Sequence, residues 1–309
     1  MAGKDGIGFE GIGEDRRGGD RTGRSGTDGK GSDRIGVERS GAAGPEWSGA
    51  DRIVIERRGS AGKGGKLIYL IGSGYISSEL ASHFSDRGYD MHVIGRHDLW
   101  PVFKDTDTIV NCSASGYRRK AYGTLGTIHD NLLLPMRIRQ WAANSNMIHF
   151  SSWTEECAPK SDYSHSKALA TSYLDGKAHI CMTCSVWGGV HESPEKFMGT
   201  FLRACAQDKP YVITHPFRRR DFVHIDTFCR EVENLTKHKQ YAKRYFATGK
   251  LRSFWSVYVE LCAIAKRQFP NVQFVDDVSA NYDWWVEKPE FEDTFREDLE
   301  REWRKLCLA

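Results

Sequence analysis

Two hydrophobic patterns alternate along the chain from Lys66 to about residue 190. Short apolar runs at Leu67–Ile71, Met91–Ile94, Thr108–Asn111 and Met147–Phe150 read as strands covered on both faces, because a strand open to water would alternate apolar and polar positions. Between and after them the apolar residues fall at helical spacing. Leu80, Ala81 and Phe84 mark a helix over 77–87 that Gly88 closes, and further helices are predicted near 126–144 and 161–174. This rhythm predicts a parallel sheet with helices on both sides. His179–Val186 reads as one more strand.

Beyond that point the rhythm changes. Helices near 195–207, 226–237 and 252–268 are interleaved with short strands near Tyr211–Thr214 and Asp221–His224, and a charged, peripheral helix is predicted over 291–306. The expected fold class is therefore α/β: a Rossmann-type doubly wound parallel sheet over 66–188, then a smaller mixed C-terminal lobe over 189–309. Some segments of that lobe are expected to return to the core. Open parallel sheets bind ligands at the carboxyl ends of their strands, so a substrate pocket is expected between those ends and the lobe.

Residues 1–65 follow neither pattern. They hold 19 of the 31 glycines, with 12 Lys/Arg against 11 Asp/Glu and few large apolar side chains, a composition that predicts a disordered tail. Asp33–Arg39 recurs loosely as Asp51–Arg57, too little for a repeat architecture. Balanced charges in the tail, and a formal net charge of +3 overall, give no reason to expect a nucleic-acid partner. The N-terminus lacks the apolar run of a secretory signal and no run reaches membrane-spanning length, so a soluble, cytoplasmic protein without membrane contact is expected. The eight cysteines are expected to be reduced thiols. Cys181-Met182-Thr183-Cys184 sits in an apolar run with no second pair, and no metal site is expected there.

Candidate chemistry begins directly after the first strand, at Gly72-Ser73-Gly74-Tyr75-Ile76. Two glycines let the backbone turn sharply, and the amides opening the next helix then face an anion such as a dinucleotide's pyrophosphate. Gly72, Gly74, Tyr75 and Ile76 are the expected contacts; Ser77 or Ser78 stands where a third glycine is usual, and a purely structural turn is the alternative. At the end of the second strand, Gly95-Arg96 replaces the acidic residue that would hold an NAD ribose. A guanidinium there suits a 2′-phosphate, which favours NADP, although Asp98 leaves room for NAD and a solvated Arg96 is the plainer reading.

Further on, Ser152 ends an apolar run, and Tyr163 and Lys167 stand four residues apart on one face of a predicted helix. A lysine ammonium could favour the tyrosine's phenolate and make it a proton-handling group, with the serine holding a carbonyl or hydroxyl oxygen against it. The three together suggest hydride chemistry at a C–O centre.

In this order, the glycine turn, Ser152 and the Tyr163/Lys167 pair resemble a short-chain dehydrogenase/reductase. The stretch Arg219–Asp226 is similar to the RDFVHVDD segment of its extended branch, the NAD-dependent epimerase/dehydratase family acting on nucleotide sugars. The resemblance spans roughly 66–300. It implies that Tyr163 is the acid/base, that Lys167 holds the nicotinamide ribose, and that Ser152 binds the reacting oxygen. It also implies that Arg220 meets the substrate's diphosphate, for which a surface ion pair is the plainer reading. Asn111-Cys112-Ser113-Ala114 matches the strand end that passes beneath the cofactor, which adds Ser113 and Ala114 to the expected cofactor contacts.

Dehydratases of the branch carry Thr-Asp-Glu where this chain reads Ser152-Trp153-Thr154; Glu155 and Glu156 come too late, which disfavours dehydration. The expectation is NADP-dependent reduction of a keto group on a nucleotide-activated sugar. An epimerase of the same branch is the nearest rival, and a non-catalytic dinucleotide-binding sensor or scaffold is a further one. A homodimer is the assembly admitted. Trp153, Trp187, Trp284 and Trp285 are candidates to line a pocket, with Trp187 a named substrate contact, though core packing is the plainer use of any one indole. The cluster Arg118-Arg119-Lys120 is equally a phosphate contact or a solvated loop. The short spacings from Ser152 to Tyr163 and from Arg96 to Thr108 suggest that one helix of the usual fold is missing or reduced to a turn.

Overall fold

The computed structural model describes residues 66–114, 123–156, 161–192, 196–275 and 289–308. The glycine-rich tail, Arg118–Lys120, Trp284 and Trp285 lie outside the described residues.

Strands β1 (Ile68–Ile71), β2 (Met91–Ile94), β3 (Thr108–Asn111), β4 (Asn146–Ser152) and β5 (His179–Thr183) lie in one six-stranded sheet with a late strand, β9 (Lys243–Phe246). The order is β2-β1-β3-β4-β5-β9, and every pairing is parallel. Because the chain leaves β1 for β2 on one side and returns to β3 on the other, a crevice opens at the carboxyl ends of β1 and β3. In that register Ile71 is level with both Ile94 and Asn111, so the glycine turn, the Arg96 turn and the Asn111 strand end share one edge.

Alternation of side chains across the sheet divides the core. Ile68, Leu70, Val110, Ile148 and Phe150 pack against α1 (Tyr75–Asp86) and α6 (Ile225–Thr236) through Leu80, Phe84, Phe228 and Val232. Tyr69, Ile71, Ile109, Met147, Ile180 and Met182 face the other way, with Ile138 of α3 (Leu134–Trp141) and Leu174 of α4 (Asp162–Leu174) in their cluster. Before α3 come α2 (Gly123–Ile128) and a π-helical turn, His129–Leu133, which buries Asp130 and Asn131. Gly95–Asp107 forms turns and extended chain without a helix, which leaves β2 as the sheet edge.

The C-terminal lobe contains a three-stranded sheet, β6 (Ser185–Trp187), β8 (Arg219–His224) and β10 (Leu251–Ser253), in the order β10-β8-β6. A parallel pair, β7 (Tyr211–Thr214) with β11 (Val272–Val275), adjoins the helices α5 (Phe197–Ala206), α7 (Phe254–Ala265) and α8 (Phe295–Leu308). Three expectations change here. The run 179–186 is two strands in two sheets, because the chain turns tightly at Cys184, whose carbonyl accepts from the Val186 amide at 3.2 Å. The helix expected to be peripheral buries Phe295, Leu299 and Trp303 in the lobe's core. β9 was not anticipated; as an edge strand, Lys243–Phe246 carries charges that hide it in a hydrophobicity pattern. Among the described residues no helix is long and apolar enough to cross a membrane.

Candidate active site

The turn after β1 is built around Gly72. Its φ of +106° is one that side chains disfavour, and a Cβ there would stand 3.0 Å from the Ser113 amide nitrogen. Only glycine lets β1 and the end of β3 approach this closely, and the Gly72 amide donates to the Ile94 carbonyl at 2.8 Å. Gly74 faces open space, with no atom within 4 Å of where a Cβ would stand, and no side chain caps α1. The first-turn amides are thus available to an anion, which is what a dinucleotide pyrophosphate requires. Of the two serines, Ser77 is the one buried beneath the helix. The side chains of Tyr75 and Ile76 point away from this opening. Tyr75 donates its hydroxyl to the Gly188 carbonyl at 2.7 Å, with Lys196 Nζ 3.9 Å from its ring centroid, and Ile76 packs into the core. What these two residues can offer an anion is backbone.

The end of β2 carries two opposite charges, Arg96 and Asp98. Arg96 is half exposed and pairs with Asp130 at 2.5 Å, an aspartate that His129 Nδ1 also meets at 3.0 Å. Asp98 folds back so that its carboxylate accepts from the Gly95 amide at 2.6 Å, which returns an acidic group to the strand end.

Ser152 is the last residue of β4, and α4 presents the other two candidates. Ser161 caps that helix reciprocally with Ser164, which fixes where its first turn begins. Tyr163 and Lys167 then project from one face, one turn apart. Lys167 is only 2% exposed and donates to the Phe150 carbonyl at 2.8 Å. Burial brings its ammonium down to about 8, against the opposing pull of Glu155 and Cys112. Tyr163 behaves otherwise than expected from the lysine spacing. Burial raises its phenol, a hydrogen bond with Ser152 opposes the rise, and the Glu155 carboxylate adds to it. The phenol is therefore held protonated, beside a serine whose Oγ also lies 3.0 Å from Thr154 Oγ1.

Beneath this pair lies a polar contact that the sequence pattern did not single out. Asn111 accepts from the Ser113 hydroxyl at 2.5 Å and its amide at 3.2 Å, which orients the side chain so that Nδ2 donates to His149 Nδ1 at 3.0 Å. Both Asn111 and His149 are fully buried, and burial, with Lys167 nearby, holds the imidazole well below its ordinary range and neutral. The signal was a histidine inside an apolar strand. Ala114 follows as an exposed residue at the mouth.

On the lobe side, a shallow depression open to solvent is lined by Trp153, Cys184, Ser185, Arg219, Arg220, Asp221 and Leu251. Arg220 lies over the Trp153 ring at 4.6 Å, in the cleft next to Ser152. Its strand is locked in place by Asp221, which accepts from the Thr248 amide and hydroxyl and from the Gly249 amide, at 2.7–3.1 Å. Trp187 is not in this cleft. It is 1% exposed, edge-on to His224 and packed on Phe295, because β6 turns it into the lobe's core.

The two acids after Ser152 are both engaged elsewhere. Glu155 is buried and accepts from Ser151 and from Thr171, the latter at 3.0 Å. Glu156 turns to the sheet edge, meeting Lys243 at 2.8 Å and the Tyr245 hydroxyl at 3.1 Å.

The sequence profile of the NAD dependent epimerase/dehydratase family matches residues 68–243, more than half of the chain. Solved structures share the fold at low identity. A UDP-N-acetylglucosamine 4-epimerase from Methanobrevibacter ruminantium M1, in complex with UDP-N-acetylmuramic acid, is 15% identical, with a TM-score of 0.65 over 78% of this chain and 97% of that one. A dTDP-glucose 4,6-dehydratase from Bacillus anthracis in complex with NAD is 12% identical, with a TM-score of 0.62 over 78% and 96%. RMD from Pseudomonas aeruginosa, complexed with NADPH, is 13% identical, with a TM-score of 0.60 over 78% and 100%. A search of curated proteins found no match.

Proposed function

The chain belongs to the NAD dependent epimerase/dehydratase family of enzymes, and from that premise we propose that it reduces a keto group on a nucleotide-activated sugar with NADPH. The observation that carries this reading is the pairing of a phenol held protonated at Ser152 with two following carboxylates, Glu155 and Glu156, that are both engaged away from the cleft. A proton donor is present at the reacting oxygen, whereas the acid and base that elimination of water requires are not offered.

When bound, the nicotinamide supplies the hydride. The Gly72/Gly74 turn and the uncapped amides of α1 would hold the pyrophosphate, and Ser113 and Ala114 at the strand end would also contact the cofactor. Lys167 would hold the ribose hydroxyls, while Ser152 would fix the carbonyl oxygen and Tyr163 would give that oxygen its proton. Arg220 takes the diphosphate of the substrate, whose sugar lies along Trp153 in the cleft. For the cofactor's 2′-phosphate the binding group is Arg96, oriented by Asp130.

One observation favours a second cofactor reading. The Asp98 carboxylate at the Gly95 amide stands where an acid would accept a ribose diol, which suits NAD. An epimerase would use the same Ser152 and Tyr163 but return the hydride to its substrate. The deciding experiment incubates the protein with NADPH and a panel of nucleotide 4-keto sugars and follows absorbance at the reduced nicotinamide band. Stoichiometric NADPH consumption supports reduction, and interconversion of sugars without net consumption supports epimerisation.

A further inference from the structure

One face of α1 carries Tyr75, Glu79 and Ser82 at helical spacing, and all three reach the turn that follows β6. The Tyr75 hydroxyl donates to the Gly188 carbonyl at 2.7 Å, the Glu79 carboxylate accepts from the His191 amide at 2.6 Å, and Ser82 Oγ lies 3.5 Å from His191 Nε2. Lys196 fixes the Tyr75 ring, with Nζ 3.9 Å from its centroid and donating to the Val186 carbonyl at 3.2 Å. The turn itself has no slack. Gly188 and Gly189 take φ of +86° and +80°; a Cβ would stand 2.3 Å from His224 Nε2 at the first and 2.4 Å from Glu79 Oε1 at the second. Two successive glycines therefore let the backbone pass between α1 and His224, the last residue of β8.

Tyr75 is the first residue of α1, so its amide is among those free to face a pyrophosphate. At the other end of the contact, β6 runs from Trp187 back to Ser185, which lines the depression beside Arg220. A single side chain thus joins the turn that takes the dinucleotide to the strand that walls the substrate side. We propose that Tyr75 is a positioning residue that couples the two sites: ordering of the first turn of α1 by a dinucleotide passes through the Tyr75 hydroxyl to Gly188 and along β6 to Ser185, with Glu79 as a second tie. The inference rests on the reading of α1 as the pyrophosphate helix, whichever reaction follows. Dinucleotide and nucleotide sugar then bind with positive cooperativity, because the first ligand has already ordered the strand that the second needs.

The test is amide hydrogen exchange of the full chain, read by mass spectrometry, free and with saturating NADPH or NADH. In wild type the dinucleotide should slow exchange in peptides over the first turn of α1 and in those over 185–192, the latter about fivefold or more. Tyr75→Phe keeps the ring and its Lys196 contact and loses only the hydroxyl, so the slowing over 185–192 should largely vanish while that in α1 persists. A tie that serves stability alone would speed exchange equally in free and bound protein and leave the difference between them intact. The proposal is overturned if the dinucleotide-induced difference over 185–192 is the same in Tyr75→Phe as in wild type, or if wild type slows in α1 alone. Should that variant not fold, Glu79→Ala removes the second tie and should reduce the same difference; a wild-type difference there overturns the proposal equally. Wild type that slows at neither place rejects the dinucleotide site and the coupling with it. Slowing at both, in a protein that reduces no keto sugar, rejects only the reductase reading.

Discussion

The guanidinium of Arg220 lies 4.6 Å over the indole of Trp153, so a cation from lobe strand β8 rests on the residue that follows Ser152. Arg220→Ala should weaken binding of a nucleotide sugar by about 1.5–3 kcal/mol, roughly ten- to a hundredfold, as loss of a charged hydrogen bond to phosphate does. Lysine at this position should recover only part, since it lacks the planar fork. Titrations followed by tryptophan fluorescence check this, and affinity unchanged by the alanine variant would remove Arg220 from the substrate site.

Tyr163→Phe should abolish turnover while leaving dinucleotide affinity within a few-fold. The ring keeps its place on α4, and only the oxygen that meets Ser152 is lost. Lys167→Ala should damage both, because this residue is proposed to hold the ribose and stands one helical turn from Tyr163 on α4. Near-normal rates in the phenylalanine variant would show that another group handles the proton.

Wild type should bind NADPH more tightly than NADH, and the two charged groups at the end of β2 separate the contributions. Arg96→Ala should lower NADPH affinity about ten- to a hundredfold and scarcely change that for NADH, by loss of one phosphate–guanidinium contact. Asp98→Ala should do the opposite, since the carboxylate held at the Gly95 amide is the group that would accept a ribose diol. Equilibrium titrations with both cofactors read the outcome, and equal affinities in wild type would leave the NADP assignment without support.

The anchoring of α8 should show in acid. Burial alone would raise the Glu302 carboxyl, but hydrogen bonds with His224 and Lys305 outweigh it and hold the group down at about 2. A depressed carboxyl adds stability that is complete above its unfolded value near 4.5 and is lost as pH falls toward 2. Up to about 3 kcal/mol should disappear across that window. Glu302→Gln should unfold more readily at neutral pH and lose less on acidification, as urea titrations at several pH values would show.

Much of the candidate site's local geometry was legible because its signals are local. A glycine pair after an apolar strand, and a tyrosine and lysine one helical turn apart, are consequences of backbone geometry that neighbouring residues impose. The same is true of the alternation that makes β1, β3 and β4 central strands and of the missing helix between β2 and β3. β9 and β6 escaped because one is a charged edge strand and the other a three-residue continuation whose sheet is chosen by β8, far away in the chain.

Which chemistry those residues face depended on contacts that no spacing encodes. Trp187 and Trp153 are both indoles beside a strand end, yet packing against Phe295 and His224 buries one, while the other meets Arg220 in the cleft. Lys167 stands where a lysine would stabilise a phenolate, but its ammonium reaches the Phe150 carbonyl, and burial with Glu155 holds Tyr163 protonated instead. Glu155 lies out of register as an elimination acid, and only the folding of α4 onto β4 shows where its carboxylate goes, to Ser151 and Thr171. Local sequence sets which groups share a face. Desolvation and pairing, which set their charge, come from chain segments brought together only by the fold.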